Sequence, residues 1–300
     1  MIPIDNGGKR KTIRGPIYNM KIGLNIFPTD KAISPVDLAK EAESRGFESL
    51  WFPEHSHIPT SRETPWGGDP SLPPLPEMYW RTIDQFVALS AAAASTTELK
   101  IGTGITLVAQ RDPIWLAKEV ASLDYISNGR LLFGIGYGWC VEEMRNHGVN
   151  YNERRDILRE KILLMKELWV KEEAEFRGNI HQLEKSWAWP KPVQKPHPPV
   201  ILGGAVGKKT ARHIAEFCDG WMPLGRYGDI EKGITLIQDA AAEIGRDLSN
   251  FETSMFCVTP VNKDKIAKLS EQGLTRIILP LPAEDETSVL PILDEYSALI

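Results

Sequence analysis

Cysteine is scarce in this chain and long apolar runs are missing. The three cysteines, Cys140, Cys218 and Cys257, are scattered and form no CxxC pair. An odd, dispersed set builds no disulfide framework and suits a reducing compartment, so a cytoplasmic location is expected. No stretch reaches the roughly 18 consecutive apolar residues of a membrane span. Residues 1–19 carry charge but no apolar segment, so they are read as a tail of poor order rather than a secretory signal. Basic charge is not in excess either: the formal net charge is -5. That argues against a general nucleic-acid binder. Neither a Walker lysine pattern nor a GxGxxG fingerprint occurs, which argues against a nucleotide triphosphatase and a Rossmann dinucleotide site.

Short apolar runs are abundant, and they alternate with helical patterns. The candidate strands are 21–27, 49–53, 99–107, 130–136, 199–204, 220–224, 251–258 and 276–281. Several are nearly continuous in Val, Ile, Leu and Phe, as parallel strands covered on both faces require. Helix ends are legible between them. Ser34-Pro35-Val36-Asp37 offers an N-cap, a first-position proline and an acid at N3, and Gly46 closes that helix. Asp112-Pro113 repeats the device, and Asn128-Gly129 ends the helix it starts. In 153–171 the apolar residues Ile157, Leu158, Ile162, Leu164, Met165 and Leu168 share one helical face. Eight βα units over 20–300 predict an α/β fold, a (β/α)8 TIM barrel, with an open doubly wound sheet as the alternative.

Two segments exceed a minimal barrel. One is the Pro/Gly-rich loop 56–81 after the second strand. The other is the hairpin-like excursion 175–198 before the fifth. Long loops in compact domains carry function or are disordered. The aromatic weight of Trp66, Tyr79 and Trp80, with Met78, favours a substrate wall.

Barrel chemistry sits at the C-terminal ends of the strands. The second strand runs into Glu54-His55-Ser56-His57, and an imidazole there can give or take a proton near neutral pH. The third carries Gly102 and Gly104, signs of a bulge, a close ligand approach or tight interior packing. The fourth alternates Gly134, Gly136 and Gly138 before Trp139, leaving room for a flat ring against the backbone. After the fifth, Gly203-Gly204-Ala205-Val206-Gly207 leads into a helix, where free N–H groups suit an anion or form a plain turn. Gly225-Arg226 adds a cation after the sixth.

Together, "GFESLWFPEHSHIP", "KIGTGITLVAQRDP", "NGRLLFGIGYGW" and "PVILGGAVGKKTARHIAEFCDGWMP" resemble the luciferase-like monooxygenase superfamily. The likeness is greatest to its deazaflavin branch, the users of coenzyme F420. The resemblance spans about 20–300 and implies a bacterial-luciferase-like barrel with the cofactor at its C-terminal face. It implies that Glu54 and His55 lie by the reactive ring, with His55 in proton transfer. It places a non-prolyl cis peptide at Gly104-Ile105, backing the ring, with Thr106, Gly136, Gly138 and Trp139 nearby. It gives the cofactor phosphate to Gly203, Gly204 and Ala205, with Gly225 and Arg226 adjacent. Trp66, Tyr79 and Trp80 would face substrate, and the chain would pair as a homodimer. One departure stands out: a sugar-phosphate dehydrogenase branch has a catalytic acid where this chain has Trp139. Glu142 and Glu143 are read instead as the start of the next helix.

The expected reaction is therefore hydride transfer between the deazaflavin and a small organic substrate. FMN with a reductase and oxygen is the alternative on the same fold, and a non-catalytic flavin carrier is another. A barrel metal hydrolase would use His55-Ser56-His57 as an HxH motif. It would need further histidines after strands five and six, where glycines and Trp221-Met222-Pro223 stand. No metal ligand is assigned.

Overall fold

The computed structural model describes residues 20–225 and 229–300. The predicted tail at 1–19, and Arg226, lie outside the described residues. The parallel strands β1 (Lys21–Asn25), β2 (Ser49–Phe52), β3 (Lys100–Thr103), β4 (Leu131–Ile135), β7 (Val200–Gly203), β8 (Gly220–Met222), β9 (Glu252–Phe256) and β10 (Arg276–Pro280) close into a barrel. All eight predicted strands are present. Between β4 and β7 the hairpin β5 (Ala174–Arg177) and β6 (Gln182–Ser186) forms a separate antiparallel pair.

Helices α1 (Pro35–Ser44), α3 (Gln85–Ala94), α4 (Pro113–Ile126), α5 (Val141–Asn146), α6 (Arg154–Val170), α7 (Lys208–Phe217), α8 (Ile230–Glu243), α9 (Lys263–Glu271) and α10 (Glu286–Ser297) fill the connections, and the short α2 (Met78–Arg81) lies in the 56–81 loop. The caps read from sequence are made. Ser34 accepts the Asp37 N–H, and Asp112 accepts those of Ile114 and Trp115. Gly46 and Gly129 have φ of 81° and 79°, where only glycine is unstrained. Glu160 on α6 accepts three N–H groups of the hairpin turn, from Asn179, Ile180 and His181, and so ties the excursion to the barrel wall.

β3 ends earlier than the apolar run 99–107 suggests. Gly104 donates to Phe52 O at 2.7 Å, the Gly104–Ile105 peptide is cis, and Thr106 rejoins the sheet by donating to Gly134 O at 2.8 Å. The bulge, not a change in hydrophobicity, interrupts the ladder.

The barrel interior holds Trp51, Leu132, Ile201, Met222, Phe256 and Ile278. Trp51 is wholly buried, and a Cβ on Gly102 would come within 2.3 Å of its ring. Beneath it the guanidinium of Arg276, 0% exposed, meets Glu48 at 2.8 Å, Glu252 at 2.9 Å and the Ser254 hydroxyl at 2.9 Å. A buried cation is tolerable only when so paired.

Burial pushes the Glu48 carboxyl upward, but the Arg276 hydrogen bond and charge, with Lys100, outweigh it and hold it at about 2. A depressed carboxyl contributes stability above its ordinary pKa, and that contribution fades as pH falls toward the folded value. Glu48→Gln should therefore lower unfolding stability by about 3 kcal/mol at neutral pH, the cost of breaking a buried pair. Its urea midpoint should also fall less steeply than wild type below the ordinary carboxylate pKa of 4.5. Parallel acid limbs in the two proteins would contradict this.

Candidate active site

The C-terminal end of β2 continues directly into Glu54 and His55, and the two side chains take different partners. Glu54 accepts the Leu107 N–H at 2.7 Å and Arg111 Nε at 2.5 Å. Arg111 also meets Glu119 at 2.9 Å and Asp84 at 3.3 Å. Glu54 thus ties the β2 end to the segment after the bulge. Burial lowers the Arg111 pKa, but the facing acids Glu54, Glu119 and Asp84 outweigh it and raise it above its ordinary value.

His55 is buried, and its acid is Glu143, from the first turn of α5. Nδ1 lies 2.8 Å from Glu143 Oε2, and Glu143 Oε1 accepts the Ser56 N–H at 3.2 Å. Around His55 stand Tyr79 at 5.2 Å and Trp139 at 5.7 Å between ring centroids, and Trp66 packs edge-on to Tyr79 at 5.8 Å. Phe27 backs Tyr79 at 4.6 Å, and the Arg62 guanidinium stands 5.7 Å from the Trp139 ring. Trp66, Tyr79 and Trp139 thus pack into one aromatic cluster beside His55. Trp80, 51% exposed, does not share these ring contacts. His57 is not with His55. It bonds the Ser56 hydroxyl and Asn146, and that hydroxyl also meets His147 Nε2 at 2.7 Å.

The glycines divide into two groups. A Cβ on Gly134 would strike Thr103 O at 2.0 Å, on Gly136 the Ile105 side chain at 2.4 Å, and on Gly138 Met144 at 2.3 Å. Gly203 also faces Ile105, at 2.8 Å, and Gly104 faces Phe256 at 2.7 Å. At Gly134, Gly136 and Gly138 the space read in the sequence as room for a ring holds neighbouring protein atoms. Gly136 and Gly203 make the notch in which Ile105 packs. Thr106 is likewise committed: its hydroxyl donates to Gln85 Oε1 at 2.7 Å, and Gln85 Nε2 donates to Phe52 O at 2.6 Å.

Gly204 and Gly207 behave differently, because a Cβ on either meets nothing within 4 Å. Gly204 has φ of 123°, and its carbonyl accepts Trp221 Nε1 at 2.8 Å. With Ala205 they form an open turn leading into α7, which has no side-chain cap. Uncapped N–H groups at the start of a helix suit an anion, and Lys208 and Lys209 stand in this first turn. Gly225 donates to Phe256 O at 2.8 Å. That bond commits the Gly225 N–H, so the donors left for a phosphate group are those of the open turn at Gly204–Gly207. A cavity of about 460 Å³ opens elsewhere, beside Lys100, Arg130, Asp219 and Glu252 at the opposite end of the barrel.

Sequence reasoning missed Glu143, Arg62, Phe27 and Gln85 as members of the site. Glu143 was visible as an acid shortly after Trp139, but nothing in its spacing pointed to His55.

Residues 28–282 match the luciferase-like monooxygenase family, and the chain belongs to it. An uncharacterized protein of Mycobacterium tuberculosis is 42% identical over 265 residues, 88% of this chain and 92% of that protein. The F420-dependent hydroxymycolic acid dehydrogenase of the same organism is 28% identical over 244 residues, 80% of this chain and 62% of that one. Among solved structures, an F420-dependent secondary alcohol dehydrogenase in complex with an F420–acetone adduct superposes with a TM-score of 0.72 at 18% identity. It covers 94% of this chain and 98% of its own. At that identity the likeness is one of fold. The described residues include no helix long and apolar enough to cross a membrane.

If Glu54 braces the β2 end, Glu54→Ala leaves Arg111 without its best partner. Unfolding stability should fall by about 3 kcal/mol, measured by urea denaturation, while the far-UV circular dichroism stays native. A change within experimental error would remove Glu54 from that role.

Proposed function

We propose that this chain is a coenzyme F420-dependent oxidoreductase, transferring a hydride between the deazaflavin and a small organic substrate at the C-terminal face. The observation that carries the reading is His55. It is a buried imidazole at a strand end, held through Nδ1 by Glu143 and walled by Tyr79 and Trp139. A relative named as F420-dependent supports the choice of cofactor. FMN with oxygen is the second reading, favoured by the monooxygenases for which the family is named.

The protein's share is placement and electrostatics. The open turn at Gly204, Ala205 and Gly207 would hold the phosphate with backbone N–H groups. The Ile105 bulge, seated on Gly136 and Gly203, would back the ring, and Thr106, Gly138 and Trp139 would shape its surroundings. Bound there, a deazaflavin supplies a hydride donor or acceptor that reacts poorly with oxygen. His55 gives a proton to, or takes one from, the substrate oxygen at Nε2. Trp66 and Tyr79 exclude water and stack on an apolar substrate. Glu54 contributes by holding the β2 end in place, and Trp80 lies at the outer rim.

A homodimer and a cytoplasmic location belong to the same reading. Val87 on α3 (67% exposed) and Trp115 (70%) and Tyr125 (66%) on α4 are the apolar side chains offered to such a partner. The described cysteines are all free and buried. Trp115→Glu should convert a dimer to a monomer by light scattering. A monomeric wild type would overturn the pairing.

His55→Ala should bind coenzyme F420 within a few-fold of wild type and lose about 100-fold or more in turnover, the usual scale of acid–base catalysis. Turnover is read from the deazaflavin absorbance with a panel of small alcohols and ketones. Unchanged turnover in the variant would sink the role of His55.

A further inference from the structure

Adjacent carboxylates on the first turn of α5 grip two points of the loop that walls the site. Glu143, 1% exposed, receives His55 at one oxygen and the Ser56 N–H at the other. Glu142 receives the Glu63 N–H at 2.8 Å, the Thr64 N–H at 3.1 Å and the Thr64 hydroxyl at 2.7 Å. Burial raises the Glu142 carboxyl, but these hydrogen bonds outweigh it and hold it at about 2, so the grip persists across the neutral range.

A neutral imidazole has one donor and one acceptor nitrogen, whereas a carboxylate only accepts. The nitrogen facing Glu143 must therefore carry the proton. Glu143 Oε1 already faces an N–H, which fits an acceptor on both oxygens. From this geometry we propose that Glu143 is the positioning residue of the reaction, fixing His55 with Nδ1 protonated so that Nε2 is the atom turned to substrate, while Glu142 latches the substrate-wall loop. A hydrogen bond on one ring nitrogen sets the role of the other by the same logic in many histidine sites.

The division of labour is specific. Losing Glu143 frees the imidazole to turn and to exchange its tautomer. Losing Glu142 frees the chain around Arg62 and Thr64, and with it the residues that bring Arg62 over Trp139 and Trp66 toward Tyr79. These are changes in proton placement and in substrate closure, and they separate in kinetics as kcat against KM.

The inference rests on His55 as the proton-transfer group, but its test does not need the cofactor or substrate. The full chain is labelled with 15N-histidine, and the His55 signals are identified by their loss in His55→Ala. In wild type, Nδ1 should be the protonated nitrogen. In Glu143→Gln, whose amide can donate as well as accept, that preference should be lost. Glu143→Asp, which keeps the carboxylate, should restore it at least in part. Glu142→Gln should leave the His55 signals unchanged and speed tryptic cleavage after Arg62 several-fold. With a substrate in hand, Glu143→Gln should lower kcat by about tenfold or more with little change in KM, and Glu142→Gln should chiefly raise KM. An unprotonated Nδ1 in wild type, or an unchanged signal in a natively folded Glu143→Gln, would overturn the assignment of Glu143. Loss of turnover in His55→Ala would still stand, so the two claims fail separately.

Discussion

One indole fills the barrel, and the site is built on it. Trp51 is wholly buried on β2, with its Nε1 donating to Ser49 at 2.8 Å. Its ring occupies the space where a side chain on Gly102 would stand, a Cβ on Gly23 would strike the Ser49 hydroxyl that the indole Nε1 donates to, and the Trp51 Cβ crowds Gly104. Below it lies the Arg276 guanidinium, 5.8 Å from the ring, and beside it Phe256 packs edge-on at 6.3 Å. Protein interiors admit few voids, so this layer closes the barrel from below and leaves the C-terminal strand ends as the place for ligands.

The next layer follows from the first. Gly104 can press on Phe256 and Trp51 because it has no side chain, and the chain then turns through the cis Gly104–Ile105 peptide. Ile105 drops into the notch of Gly136 and Gly203, which couples three neighbouring strands. The segment that follows carries Leu107 and Arg111 back to Glu54. His55, the next residue, is thereby set on a braced strand end, and α5 brings Glu143 to it from the far side of Trp139. Rigid support of this kind is what the role proposed for His55 needs, since misplacement by about 1 Å is costly.

Much of this was legible in the sequence, and the misses have physical causes. Parallel strands announce themselves as continuous apolar runs, and helices by Ser34, Asp112 and Asn128-Gly129, because those signals are local. His55 could be found because it directly follows a strand. Its partner could not, because Glu143 lies 88 residues away and meets it only after barrel closure. The strand-four glycines show a related limit. A missing Cβ shows that something approaches the backbone, but not whether that thing is a ring or an isoleucine. The resemblance put Glu54 and His55 together by the ring, whereas Glu54 turns to Leu107 and Arg111 and His55 to Glu143.

The account stands or falls on what the open turn at Gly204–Gly207 and the Ile105 bulge receive. The direct measurement is a titration of the purified protein with coenzyme F420 and, separately, with FMN, followed by quenching of tryptophan fluorescence. The nine tryptophans, with Trp139 and Trp66 in the cleft, make the signal large. Tight binding of the deazaflavin and weak binding of FMN is the predicted result. The opposite preference, or binding of neither, would contradict it.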